Sequence, residues 1–289
     1  MKTDKRGRAI GAHSDGAQWH NDDGVPMRSV LSATGGARAT TLSDARELGL
    51  LPSVSNILEV VHLPEQEVWE QGQAVLLGLT LPRREGESVD AYLTRVMEAR
   101  SQAAVGFGTT LHGWAERLAR WVEVDPADPR APWTRLLRAW FLANCVRVVW
   151  AERPLVNREL GYAGVGDLLI EHRAHGITLV DLKLQNVKEG DGPSTYRSWG
   201  YEMAAYRAAL GEKVVCVTLI MNSREAHAPI EGRWSEEQMA MNWRGFRAAR
   251  ELWVIANNYD PTEKQKAEMG NGTNGRDGTN SREPIANSQ

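Results

Sequence analysis

The sequence predicts an α/β domain whose mixed β-sheet is flanked by helices, behind a helical N-terminal region. Three observations predict it. The first half of the chain is dominated by apolar residues at helical spacing, whereas from Val148 onward β-branched runs take over. "KVVCVTLIMN" is the most strand-like segment of the chain, rich in Val and Ile and poor in charge. The resulting order is helix, three strands, helix, strand and a last helix, which suits two layers around one sheet.

The elements follow in order. "PSVSNILEVV" and "PEQEVWEQGQAVLLGL" have helical spacing, with Pro64 suited to a first turn. "SVDAYLTRVMEARSQAA", "FGTTLHGWAERLARWVE" and "APWTRLLRAWFLANCVRVVW" continue the pattern. Strands are expected at "VVWAERPLV", "VGDLLIEH" and "GITLVDLKLQ". A helix is expected at "STYRSWGYEMAAYRAALG", closed by Gly211, and another over 235–257, opened by a capping box from Ser235 to Gln238.

The ends read as disordered. Residues 1–45 are rich in Gly, Ser, Asp and Arg without periodicity, and 261–289 are polar and Gly/Asn-rich. Between them one domain spans 46–260, with a helical cap over 51–146, a core over about 106–222 and the C-terminal helix. With 289 residues, 42% of them hydrophobic, the chain can bury a proper core.

Composition excludes several classes. The net charge of −3 advertises no global field for nucleic acid, so any such contact needs a local basic patch. The two cysteines, Cys145 and Cys216, both within apolar runs, argue against a disulfide framework, a structural zinc site or an iron–sulfur cluster held by four cysteines. No apolar stretch reaches the ~18 residues that span a bilayer, and no signal-peptide core opens the chain, so a soluble cytoplasmic protein is expected.

The chemistry lies in "GVGDLLIEHRAHGITLVDLKLQ", where charge interrupts two apolar runs. Alternate strand residues share a face, so Asp181 and Lys183 point the same way at the far end of their strand. A three-residue loop, Ala174 to Gly176, would set Asp167 across from Lys183 with Asp181 on the diagonal; a one-residue slip would send Asp167 to the other face. Two carboxylates ~4 Å apart repel by roughly 4 kcal/mol at an effective dielectric of 20. A lysine offsets part of that. A divalent cation offsets more, and carboxylate oxygens suit Mg²⁺ or Mn²⁺. Such an ion polarises a phosphoryl oxygen and lowers the pKa of a bound water, while Lys183 orients that water or neutralises phosphate charge. Taken alone, a D-x-K pair is more often a solvated surface pair worth ~0–1 kcal/mol. Its place at the end of an apolar strand, after a second strand carrying its own Gly-Asp, favours the site.

"GVGDLLIE", followed by "DLK" and then by the helix "YEMAAYRAAL", resembles the PD-(D/E)XK nuclease superfamily, and within it RecB-type nuclease domains and phage-type exonucleases. Those families carry a G-x-x-x-H helix ahead of the strands, matched by "GTTLH" with His112, and a Glu on the first core strand, matched by Glu152. "LPSVSNIL" is similar to an element common in phage members, and the likeness runs from Leu51 to Asn222. The resemblance implies that Asp167 and Asp181 bind metal, that Lys183 is the catalytic lysine, that His112 is a further metal ligand or organiser, and that Glu152 supports the site. The family's helix after D-x-K usually reads Q-x-x-x-Y; here Tyr206 is present but Glu202 replaces the Gln. A carboxylate cannot donate as the amide does, so Glu202 either adds a ligand, weakens phosphate contact or signals altered activity.

Around this site Arg197, Arg207 and Lys188 are candidate phosphate contacts. Arg244, Arg247 and Arg250 form a stripe that is read equally as a solvated face. The expected activity is a metal-dependent deoxyribonuclease, an exonuclease of DNA recombination, repair or phage DNA processing. The alternative is a nuclease-fold DNA-binding or regulatory module without turnover. The expected partners are DNA ends, single- or double-stranded, and a recombination or single-strand-binding protein, but no membrane; the oligomeric state stays open.

Overall fold

The computed structural model describes residues 18–32, 35–61, 78–99, 130–185, 195–223 and 225–263, with a few isolated positions between them. The chain opens with β1 (Trp19–His20), β2 (Ser29–Leu31), β3 (Ala37–Ala39), α1 (Leu42–Leu48), β4 (Leu51–Pro52) and α2 (Val54–Leu58). A helical stretch covers 89–99, opened by Ser88, whose hydroxyl accepts from Ala91 N–H at 3.2 Å. Then come α3 (Ala131–Asn144), β5 (Cys145–Asn157), β6 (Tyr162–His172), β7 (Gly176–Gln185), α4 (Arg197–Leu210), β8 (Val215–Asn222), β9 (Ile230–Trp234) and α5 (Glu236–Asn257).

β5 to β9 form one mixed sheet in sequence order. Only the β7–β8 pair is parallel, and α4 supplies its crossover. Both faces are covered. On one, Leu137, Trp140 and Phe141 of α3 meet Leu168, Ile170, Val180, Leu182, Leu219 and Met221. On the other, Met203, Ala204 and Tyr206 of α4, together with Phe246 of α5 and Ile57 of α2, meet Leu169, Leu179 and Cys216. Burial on both faces explains the near-continuous apolar runs of β6 to β8. The caps are as expected. Gly211 closes α4 in the left-handed conformation at φ 73°, and Ser235 with Gln238 makes the reciprocal capping box of α5.

Four boundaries differ from expectation. Residues 18–32 and 35–45 are ordered: Trp19 is buried, its ring 6.0 Å from Trp253 and 6.3 Å from Tyr259, and Trp19–His20 pairs with Leu51–Pro52. Part of this order comes from partners more than 200 residues away, which local composition does not register. The helix expected over 131–150 ends at Asn144, because the β-branched run from Val146 to Val149 goes straight into β5. β9 is a strand the sequence reading lacked. At the C-terminus Thr262 is buried, its amide and hydroxyl bonded to Asp260, so order extends beyond 260. Among the described residues no helix is long and apolar enough to cross a membrane.

Candidate active site

The ladder between β6 and β7 places His172 opposite Gly176 and Leu168 opposite Val180. The hairpin loop is therefore Arg173 to His175, two residues out of step with the expected register. A two-residue shift preserves the faces. Asp167 thus stays on the face of Asp181, directly across from it rather than from Lys183. Across β5 the flanking pairs Ala151–Leu168 and Arg153–Gly166 set Glu152 opposite Asp167. Across β8, Thr218 pairs with Asp181. Glu152, Asp167 and Asp181 thus form one transverse row over three strands, at the point where the β6–β7 ladder stops. There the Asp167 carboxylate substitutes for the missing backbone partner: Leu182 N–H donates to Asp167 Oδ2 at 2.7 Å.

Lys183 reaches back along β7 and up to α4. Its Nζ donates to Asp181 Oδ1 at 3.1 Å and to Glu202 Oε2 at 2.7 Å, and the Tyr206 hydroxyl donates to Glu202 Oε1 at 3.2 Å. Glu202 and Tyr206 stand one helical turn apart, which puts both over the row. Tyr206 comes this close because Gly164 lacks a side chain; a Cβ there would lie 2.6 Å from Tyr206 Cε1. Gly164 is the site-building residue that sequence reasoning passed over, and "GVG" ahead of Asp167 was its signal. Glu152 has φ 48°, a left-handed conformation rare for a non-glycine residue and placed here at the row itself.

The electrostatics are those of crowded carboxylates. Burial, opposed by Lys183 and reinforced by Glu202 and Asp167, pushes the Asp181 carboxyl up to about 8. Burial works against the charge of Lys183, yet Asp181, Glu202 and Asp167 outweigh it and hold its pKa above the ordinary lysine value. Burial and then the same three carboxylates raise the Tyr206 phenol well above its usual value.

A divalent cation fits this donor set. Asp181 Oδ2 is buried and has no hydrogen-bond partner among the described residues. Such an atom calls for a proton or a cation. With Asp167 beside it, the oxygen donors suit Mg²⁺ or Mn²⁺.

Asp167, Asp181, Lys183, Glu202 and Tyr206 are thus brought together, with Glu152 across from Asp167. His112 and Lys188 lie outside the described residues. Arg197 is exposed at the first turn of α4. Arg207 is not brought to the row: it pairs with Glu236 at 3.0 Å, joining α4 to α5. In the stripe on α5, Arg250 is buried and bonded to Leu160 O and Asp260, and it lines an open groove together with Arg244 and Arg247.

No protein-family model matches the chain, and no curated protein matches it significantly in sequence.

Proposed function

We propose that the chain is a metal-dependent deoxyribonuclease of the PD-(D/E)XK type, an exonuclease acting on DNA ends in the cytoplasm during recombination, repair or phage DNA processing. The observation that carries the reading is the convergence of Asp167, Asp181 and Lys183 on one sheet face, with a buried carboxylate oxygen left unpartnered. The exonuclease preference rests on the motif resemblance, since the residues themselves dictate only phosphodiester hydrolysis.

Asp167 and Asp181 would hold Mg²⁺ or Mn²⁺, which supplies Lewis-acid polarisation of the phosphate and a water of lowered pKa. Leu182 N–H fixes Asp167, so one ligand is pre-oriented by the backbone. Lys183, fully charged, offsets negative charge that builds on the phosphoryl oxygens as the bond breaks. Glu202 holds the ammonium in place, and Tyr206 holds Glu202. Glu152 adds a third carboxylate at the head of the row.

A second reading is favoured by one observation. Glu202, standing where the family has Gln, joins Asp181 in engaging Lys183, and a lysine so held is less able to turn toward substrate. In that reading the chain binds DNA without cutting it.

End-labelled linear DNA, single- and double-stranded, incubated with Mg²⁺, Mn²⁺ or EDTA, separates the two. Shortening from one end that needs metal and falls by about 10²-fold or more in Lys183→Ala is expected. Retention of DNA with no cleavage under either metal, restored in Glu202→Gln, would establish the binding module instead.

A further inference from the structure

On the sheet face opposite Asp181, three side chains converge that nucleolytic chemistry does not use. His172 ends β6, His175 closes the hairpin loop, and Glu231 comes from β9, where it pairs with Leu219. Their ligand atoms lie within 4.8 Å of one another. We propose that His172, His175 and Glu231 form a second metal site, selective for a first-row transition ion such as Zn²⁺, which ties the β6–β7 hairpin to the edge strand β9.

The geometry favours an ion over a set of hydrogen bonds. His172 Nε2 and Glu231 Oε1 are 3.4 Å apart, and His175 Nε2 and Glu231 Oε2 are 3.8 Å apart. Both separations are long for hydrogen bonds. Two donors held ~2.0–2.1 Å from a tetrahedral ion stand about 3.3 Å apart, close to the first separation. The rings of His172 and His175 lie parallel with centroids 4.4 Å apart, so both present to the same carboxylate. His172 is buried, whereas the side chains of His175 and Glu231 are 21% and 25% exposed, leaving one side open for a water or a fourth ligand.

The donor chemistry selects the ion. Two imidazoles and a carboxylate suit Zn²⁺, Co²⁺ or Ni²⁺, whereas Mg²⁺ and Ca²⁺ want all-oxygen shells. The scarcity of cysteine does not bear on such a site. The carboxylate is also oriented from behind, since Trp140 Nε1 of α3 donates to Glu231 Oε1 at 2.8 Å, as outer-shell donors do at metal centres. The signal in the sequence was His-x-x-His at the hairpin, whose third ligand comes from a strand the sequence reading lacked.

One bond opposes loading and sets its strength. Ala174 N–H donates to His172 Nδ1 at 3.1 Å, which leaves the ring proton on Nε2. Coordination through Nε2 moves that proton to Nδ1 and deprives Ala174 of its acceptor. Ala174 is exposed, so water replaces the lost partner. His175, on the open side of the loop, is the ligand that swings in. Loading is therefore weaker than at a site whose imidazoles are already turned for coordination, and because the proton moves within the His172 ring, none is released there.

The test uses the full chain stripped with EDTA and dialysed, as wild type and as Asp181→Asn, His175→Ala and Glu231→Gln. Co²⁺ is followed by its visible d–d absorption and Zn²⁺ by calorimetry and thermal melting. Asp181→Asn is expected to bind one ion with the bands of a low-coordinate nitrogen–oxygen site, wild type is expected to show the same bands whether or not a further ion binds at Asp167 and Asp181, and Zn²⁺ should raise both melting temperatures by about 3 °C or more. His175→Ala and Glu231→Gln should each bind about tenfold more weakly or worse. Their metal-free melting temperatures should be unchanged, because Gln still accepts from Trp140 and His175 is partly exposed. The proposal is overturned if neither variant alters the titration, if Asp181→Asn abolishes it, or if no ion binds at millimolar concentration.

Discussion

The two faces of the sheet are built from alternate residues of the same strands, yet they do different work. In β7, Val180 and Leu182 point to α3 and are sealed in an apolar cluster with Leu137, Trp140 and Phe141. Their neighbours Asp181 and Lys183 point to α4, where Leu169 and Leu179 begin an apolar layer that gives way to carboxylates at the end of the strand. At this end of β7 the α3 face is apolar. The other, apolar beneath Met203 and Phe246, accepts three acids and a lysine at this end in a space that burial makes hostile to charge, and leaves Asp181 Oδ2 without a hydrogen-bond partner. On this pattern the α3 face is where truncation should cost stability, and the α4 face is where neutralisation should restore it.

The largest effect expected is on the apolar face. Leu182 is 1% exposed and packs with Leu168 and Leu219. Leu182→Ala should cost about 3 kcal/mol in urea-melt stability, while keeping the backbone N–H that holds Asp167. A loss below about 1 kcal/mol would show that the α3 face collapses around the cavity and contributes less than its burial implies.

The next effect has the opposite sign. Asp181→Asn removes a carboxylate that burial, Glu202 and Asp167 disfavour, while Lys183 keeps Glu202 as its partner. The metal-free variant should be more stable than wild type at pH 8 by about 1 kcal/mol, and inactive as a nuclease. The pH dependence follows from the raised carboxyl. Its folded pKa lies above the unfolded value of 3.8, so between pH 4 and 8 the native chain holds a proton that the unfolded chain has released. Stability of metal-free wild type should therefore decline from pH 5 to pH 8, and Asp181→Asn should flatten that decline. Urea melts at several pH values in EDTA measure it; equal slopes for the two proteins would mean that Asp181 stays ionised throughout.

The asymmetry of the faces was legible in the sequence because parity is robust. Asp181 and Lys183 were placed on one face by alternation and Asp167 beside them by the three-residue loop, and the two-residue error in the hairpin register left that placement intact. What the sequence could not carry is distance. Tyr206 reaches the row only because Gly164, 42 positions earlier in the chain, makes room. Trp19 folds into the core through Trp253 and Tyr259, so a segment of disordered composition is ordered by partners at the far end of the chain. β9, with the sequence Ile-Glu-Gly-Arg-Trp, has too little alternation to announce a strand, and its pairing with β8 decides the matter. The Gln-to-Glu departure was visible, but not that Glu202 would engage the lysine.

The smallest effect concerns the backbone of the polar face, and it separates geometry from charge. Among the described residues, the only non-glycine positions with positive φ are Asn258, in the cap of α5, and Glu152, at the head of the carboxylate row. The α3 face has no such feature. A left-handed L-residue costs about 1–2 kcal/mol, whereas glycine adopts that conformation freely but loses more entropy on folding. Glu152→Gly should therefore be more stable than Glu152→Ala by about 0.5–1 kcal/mol, although both delete the same carboxylate. Ala at or above Gly in stability would mean that the residue relaxes to ordinary strand geometry once the carboxylate is gone, and that the side chain was holding the backbone in place. Cleavage assays on the same pair carry the argument to function. If both variants lose activity equally, the Glu152 carboxylate is what the row needs. If Gly retains activity that Ala loses, the strand's turn at Glu152 is the functional element, because it aims Asp167 across the gap where the β6–β7 ladder ends.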